Sequence, residues 1–213
     1  MEFKGAIFDI DGTLLDSMGV WYQIDIDFFK RYDMDMPEGY SEKVAQMGSW
    51  QTAEYTSEIM NGRFSPDELM KIWLDMAKDY YKNTLKLKPH AKEYLEILKA
   101  KGYKLGVATA LCDDVFRPAL ERCGVYDLFD VFVSSGEMKL EKSSPEVYVH
   151  TAEKMGVKPS ECMVFEDIVP GIIGAKKGGF YAVGVYDSHG RQNQEQLKDA
   201  ADKYIFDFKE MYS

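Results

Sequence analysis

Two periodicities alternate along this chain. Gly5-Ala6-Ile7-Phe8, Lys104-Leu105-Gly106-Val107-Ala108, Val131-Phe132-Val133, Cys162-Met163-Val164-Phe165 and Tyr181-Ala182-Val183-Gly184-Val185 are short, largely apolar runs bounded by turn residues. Runs of this kind read as buried strands. Tyr204-Ile205-Phe206 is a shorter sixth candidate. Between the runs the spacing turns helical. Pro89 opens a helix with Ala91, Tyr94, Leu95 and Leu98 on its apolar face and Gly102 at its end. Asp113-Asp114 starts a helix that runs to Gly124, Ser144-Pro145-Glu146 starts one that stops before Gly156, and Pro170 to Lys177 forms the next. Strands alternating with helices predict an α/β fold, a Rossmann-like parallel sheet with helices on both faces.

One stretch breaks the alternation. From Ser17 to Thr84 the pattern is helical only. Trp21, Ile24, Phe28 and Phe29 share one helical face, and Leu69, Trp73 and Met76, with Ile72 beside them, share another. Ser65-Pro66-Asp67-Glu68 is a helix start, with Ser as N-cap and Pro at the first helical position. Pro37, Gly39 and Asn61-Gly62 mark breaks, so about four helices and no strand are expected. The stretch holds all three tryptophans and 7 of the 12 methionines, so it needs an apolar core of its own or forms a soft lid over a site. Trp50 is the best single candidate for a site-facing residue. The domain reading is a core of residues 1–16 and 85–213 with an all-helical cap, residues 17–84, inserted into it. Asp16-Ser17 and Thr84-Leu85 through Pro89 are the expected hinges.

Chemistry enters at the strand ends. A parallel sheet places every strand's carboxyl end on one edge, where ligands bind in open α/β folds. Asp9 and Asp11 follow the first strand at i and i+2, a spacing that projects both from the same face of an extended chain. Two like charges at the end of a buried strand repel each other and lose hydration. A cation would remove that penalty, and oxygen-only ligands suit Mg²⁺. The same edge receives Thr109, a lysine near Lys142, and Glu166-Asp167. Each alone has an ordinary reading, as a cap, a solvated lysine, or acids at a helix start. Their joint arrival on one edge is harder to assign to chance.

Charge and cysteine usage narrow the partners. With 36 acidic and 26 basic residues the net charge is −10, which argues against nucleic acid or an anionic membrane surface. A small phosphorylated metabolite remains open, because a local pocket can be positive on an acidic protein. No apolar run reaches 18 residues, and no leader-like segment precedes the first strand, so neither a membrane span nor a signal peptide is expected. Cys112, Cys123 and Cys162 show no C-x-x-C spacing, which fits reduced thiols and a cytoplasmic location. His90, His150 and His189 are scattered without ligand spacing, and no long apolar stripe is left over for self-association, so a monomer is expected.

With these residues in place the chain resembles the haloacid dehalogenase superfamily of phosphohydrolases, in its β-phosphoglucomutase-like branch with a helical cap after the first strand. The matching segments are Asp9-Ile10-Asp11-Gly12-Thr13-Leu14-Leu15-Asp16-Ser17, Val107-Ala108-Thr109, Lys142-Ser143-Ser144-Pro145-Glu146, and Phe165-Glu166-Asp167 with Gly171. The resemblance implies that Asp9 is a nucleophile forming an aspartyl-phosphate. It implies that Asp11 protonates the leaving oxygen and later takes a proton from the hydrolytic water. It implies Mg²⁺ held by Asp9, the Asp11 carbonyl, Asp167, and Glu166 directly or through water. Thr109, with Ala110, would bind the phosphoryl oxygens, and Lys142 would bridge them to Asp9. Dehalogenases that resemble this fold lack the second Asp, so Asp11 favours phosphate esters.

The chain departs from the family pattern in places. The family usually has Gly-Lys-Pro where this chain has Glu141-Lys142-Ser143, which leaves Lys139 as an alternative active-site lysine. Mutases of the branch usually carry a cap Arg after a Gly-x-Ser-like turn to hold a second phosphate, and here the turn is Gly48-Ser49-Trp50. Trp cannot make that bidentate contact, though Arg63 or Arg31 could substitute. The expected function is therefore a Mg-dependent phosphatase acting on a small phosphate monoester, a sugar phosphate being the favoured class. A β-phosphoglucomutase-type mutase is the alternative, and a non-catalytic binding module of the same fold is a third reading.

Overall fold

The computed structural model describes residues 2–44, 47–189 and 194–213. Its six strands are β1 (Gly5–Phe8), β2 (Lys104–Thr109), β3 (Val131–Ser134), β4 (Cys162–Glu166), β5 (Tyr181–Val185) and β6 (Lys203–Ile205). They form one sheet in the order β3-β2-β1-β4-β5-β6, and every adjacent pair is parallel. The helices are α1 (Met18–Arg31), α2 (Tyr40–Val44), α3 (Ser49–Ile59), α4 (Pro66–Asn83), α5 (Ala91–Ala100), α6 (Asp113–Arg122), α7 (Ser135–Met138), α8 (Glu146–Met155), α9 (Val169–Lys177) and α10 (Gln194–Ala200). The short α7 and α10 leave no mark in the sequence pattern. Each spans under two turns, too little for an amphipathic period to register.

Central strands of a parallel sheet are covered on both faces, so they read as continuous apolar runs. The two faces separate by alternation. Ala6, Phe8, Val107, Phe165 and Val183 join one core with Tyr94 and Leu95 of α5, Val115 and Phe116 of α6, and Phe208. Ile7, Ala108, Val164 and Ala182 join the other, with Val147, Tyr148 and Ala152 of α8, Ile172 and Ala175 of α9, and Leu197 of α10. Phe8 stacks on Phe165 across the strand pair, ring centroids 4.5 Å apart.

Helices α1 to α4 form the cap between β1 and α5. Helix α4 starts as its sequence dictates: the Ser65 hydroxyl accepts from the Glu68 amide, the Glu68 carboxylate returns to the Ser65 amide at 2.8 Å, and Pro66 occupies the first turn. Its buried stripe is Leu69, Trp73, Ala77 and Tyr81, a strict i+4 row; Met76 and Ile72 are only partly buried beside it. The two connections between cap and core lie side by side. Asp16 N–H donates to the Lys86 carbonyl at 2.9 Å, and Lys88 N–H to the Leu14 carbonyl at 2.8 Å. The Lys88 ammonium is buried against Asp187 in the loop after β5, with Asp16 3.9 Å away. From the core, Arg122 of α6 donates to the carbonyls of Tyr81, Lys82 and Leu85 and so caps the end of α4.

Candidate active site

The sheet order reverses at β1, whose neighbours are β2 and β4. Phe8 pairs with Val107 on one side and Phe165 on the other. One residue further, Asp9 leaves the sheet beside Glu166, and the end of β2 brings Thr109 to the same edge. The turn that follows is tight: Gly12 N–H donates to the Leu15 carbonyl, and Leu14 and Leu15 both donate to Ile10. Gly12 has φ +74°, and a Cβ there would fall 2.2 Å from an Asp167 carboxylate oxygen, so both the backbone and the space exclude a side chain. Thr13 donates to that same Asp167 at 3.4 Å.

At the centre lies the Lys142 amine, 2.5 Å from Asp9 Oδ1 and 2.8 Å from Glu166 Oε1. Burial works against its charge, but Asp9 and Glu166 outweigh it and hold the amine protonated. Lys139 lies elsewhere; it is an exposed residue at the left-handed end of α7. Lys142 reaches the site because its loop lies flat on α9: a Cβ on Gly174 would be 2.1 Å from the Lys142 carbonyl.

The carboxylates form two groups. Asp9, Glu166 and Asp167 are all buried, and each offers an oxygen within 4.8 Å of the others. Burial pushes the Glu166 carboxyl up to about 7 and raises Asp167 well above its ordinary range, with Asp9 adding repulsion to both. Tyr148 of α8 donates to Glu166 Oε1 at 2.8 Å, while Glu166 Oε2 is buried with no partner among the described residues. An orphan carboxylate oxygen among three crowded carboxylates is the environment a hard cation relieves, so the donor set fits Mg²⁺. Asp11 stands apart. Its Oδ1 accepts from Ser17 at 2.6 Å and from the Tyr81 hydroxyl, and Tyr81 accepts from the Trp21 indole at 3.1 Å. Burial raises the Asp11 carboxyl to about 6, and the Ser17 and Tyr81 bonds hold it from rising further.

Thr109 is buried at the end of β2, and its Oγ accepts from the Leu111 amide at 3.3 Å, which leaves the hydroxyl proton for another acceptor. Ala110 follows it in an exposed position. Trp50 sits in the first turn of α3, 47% exposed, with its indole donating to Glu54 one turn on. The structure therefore gathers Asp9, Lys142 and Glu166 by direct contact, brings Asp167 within 4.8 Å of the other two carboxylates, and sets Asp11 and Thr109 on the same edge. It does not tie Trp50 to that group. Arg63 stacks on Tyr32 and Phe64, 4.8 and 5.5 Å from the ring centroids, and Arg31 lies over Tyr32 at 6.0 Å. Tyr81 and Tyr148 carry no sequence signal of their own, since each occupies a position that an apolar residue could fill. Thr13 and Ser17 stand in the first motif without an assigned polar partner, and the fold gives them Asp167 and Asp11.

Asp9 clamped by Lys142, the separate Asp11 carboxyl and the Glu166–Asp167 pair make a candidate hydrolase site at the strand-end edge. The chain belongs to the haloacid dehalogenase-like hydrolase family, whose model matches residues 6–185. It is 29% identical over 179 residues to a phosphorylated carbohydrates phosphatase of Thermotoga maritima, covering 83% of this chain and 82% of that protein. It is 28% identical over 182 residues to hexitol phosphatase B of Escherichia coli (strain K12), covering 82% of this chain and 80% of that one. Among solved structures, the β-phosphoglucomutase of Clostridium difficile superposes with a TM-score of 0.76 at 22% identity, covering 98% of this chain and 93% of that one. Among the described residues no helix is long and apolar enough to cross a membrane.

Proposed function

We propose that the protein is a Mg²⁺-dependent phosphatase of a small sugar or sugar-alcohol phosphate, working through an aspartyl-phosphate on Asp9. The observation that carries this reading is the division of labour between the acids. Asp9 is clamped by Lys142, while Asp11, two residues along, is bound by Ser17 and Tyr81 and raised by burial to a pKa of about 6. The Asp9 carboxylate attacks phosphorus as the bond to the leaving oxygen breaks, and Asp11 delivers a proton to that oxygen. Asp11, now ionised, takes a proton from the water that cleaves the acyl phosphate. A carboxyl that titrates near neutrality serves both halves of such a cycle. Lys142 stays protonated and offsets charge on Asp9 and on the phosphoryl group, while the free Thr109 proton orients a phosphoryl oxygen. Asp9, Asp167 and Glu166 would hold Mg²⁺, which when bound offsets the negative charge of carboxylates and phosphate.

The sugar-phosphate class is supported by the two relatives, one named as a phosphatase of phosphorylated carbohydrates and the other as a hexitol phosphatase. Hydrolysis is preferred over mutase chemistry because the Gly48-Ser49-Trp50 turn carries no cationic residue, and Arg31 and Arg63 are committed to Tyr32 at the far end of α1. Three free cysteines are consistent with a cytoplasmic setting. Phosphate release from a panel of sugar phosphates, with Mg²⁺ and with EDTA, tests the proposal. Mg²⁺-dependent release is expected. Conversion of β-glucose 1-phosphate to glucose 6-phosphate without free phosphate would replace it with the mutase reading.

A further inference from the structure

The loop that delivers Lys142 also delivers the residue before it, and the two point in opposite directions. Ser144 N–H donates to the Glu141 carbonyl at 3.0 Å, Lys177 of α9 holds the Ser143 carbonyl at 3.3 Å, and Gly174 seats the Lys142 carbonyl. With the loop pinned on that side, Lys142 turns into the site and Glu141 turns up towards the cap. Its carboxylate packs over Gly48, where a Cβ would lie 3.1 and 3.5 Å from the two oxygens. Gly48 has no side chain with which to cap the start of α3, so the Glu141 carboxylate is the charge that faces this helix end.

Glu141 thus stands at the boundary between the core loop that carries Lys142 and the cap turn at Gly48. Three of the cap's cations have aromatic partners: Arg31 and Arg63 stack on Tyr32, and Lys43 lies over the Tyr55 ring at 3.9 Å. We propose that the substrate's leaving group lies along this boundary, and that Glu141 is a specificity residue that repels a second anionic group on it and accepts hydrogen bonds from a neutral polyhydroxylated one. This rests on the phosphatase reading and sharpens it to monophosphates of neutral polyols, as against bisphosphates and phosphorylated acids.

The test compares wild type with Glu141→Gln and Glu141→Lys on a hexitol 6-phosphate and a hexose 1,6-bisphosphate. Glu141 is exposed, so neither change opens a hole in the buried core. The ratio of kcat/KM, bisphosphate over monophosphate, should rise roughly 3- to 10-fold for Gln and further for Lys, and the gain should shrink at high salt. An unchanged ratio, or equal shifts for both substrates, would overturn the proposal and leave Glu141 as a cap-to-core contact only. Calorimetric affinities for the same two ligands in an Asp9→Asn background, with and without Glu141→Gln, report selectivity without turnover. The proposal therefore stands or falls on the affinity ratio even if the wild type hydrolyses neither compound.

Discussion

Two buried side-chain polar atoms lack a partner among the described residues, one in each domain, and they show how differently the core and the cap treat burial. In the core the atom is Glu166 Oε2, set among Asp9, Asp167 and Lys142. In the cap it is Trp73 Nε1, on a side chain packed edge-on against Phe28 with ring centroids 5.7 Å apart. A lone carboxylate oxygen beside two other carboxylates is a demand for a cation. A lone indole N–H inside an aromatic cluster is a modest cost carried by the large area around it. Phe28, Phe29, Tyr40, Tyr55, Phe64 and Trp73 interlock by edge and face contacts, so the cap is held by shape. The core's strand-end edge is held by charge balance. The domains meet where α4 ends: Arg122 grips its last carbonyls, and Tyr81 of the cap reaches Asp11 of the core.

The largest effect that separates the domains should come from Asp9→Asn. Turnover should fall by on the order of 10⁴-fold, as for the loss of a covalent nucleophile. The fold should survive, because one repelling charge leaves a crowded cluster. Steady-state phosphate release and a thermal melt check both parts; retained turnover would move the nucleophile off the core.

The charge balance itself predicts a pH dependence of stability. Asp11 and Glu166 titrate in the folded state near 6 and 7, above ordinary carboxylates at roughly 4, and Asp167 is also raised. The folded state therefore binds more protons than the unfolded state between about pH 4 and 7. Stability from these groups is full below about pH 4 and is lost as pH rises through 6 to 7. A tenfold difference in proton affinity between the two states is worth about 1.4 kcal/mol, so the loss amounts to a few kcal/mol. Without metal the melting temperature should fall by several degrees between pH 5 and pH 7.5. Adding Mg²⁺ should restore more at pH 7.5 than at pH 5, where the carboxylates hold protons. A melting temperature indifferent to Mg²⁺ at pH 7.5 would contradict the assignment of the orphan oxygen.

A smaller change tests whether the cap does any chemistry. Tyr81→Phe removes one of two donors to the Asp11 carboxylate and leaves the ring in place. Asp11 should ionise less readily, so the limb of the rate profile that needs it as a base should move to higher pH. At neutral pH kcat should drop about tenfold with KM nearly unchanged, the size expected of one hydrogen bond to a charged group. Loss in KM alone, with the profile unmoved, would confine Tyr81 to packing.

The layout was legible because burial and catalysis leave different marks. Continuous apolar runs gave the strands, and acids interrupting those runs at Asp9 and Glu166 marked the edge where the candidate site lies. Lys142 over Lys139 followed from the turn that seats its loop on Gly174, a long-range contact that no local pattern carries. Tyr81 and Tyr148 were hidden for another reason. A tyrosine on a buried stripe scores as apolar, and only the fold shows which carboxylate its hydroxyl meets. In the cap the aromatic positions announced a core; the pattern puts Trp21 and Trp73 on helical faces and singles out Trp50, and the three have different surroundings in space.

That last difference gives the finest test. Trp73 is 7% exposed and Trp50 is 47% exposed, with an indole tied only to its own helix through Glu54. Trp73→Ala should cost about 3–5 kcal/mol, as for a large aromatic lost from a packed interior, and should melt the cap or the whole chain. Trp50→Ala should move the melting temperature by no more than about a degree or two. Its effect should appear in discrimination among sugar phosphates, a few-fold change in relative kcat/KM, because the Trp50 turn starts the helix that Glu141 faces across the domain boundary. If Trp50→Ala instead lowers stability and leaves the ranking of substrates intact, the exposed indole belongs to the cap's own packing. Selectivity would then rest with the core loop that carries Glu141 and Lys142.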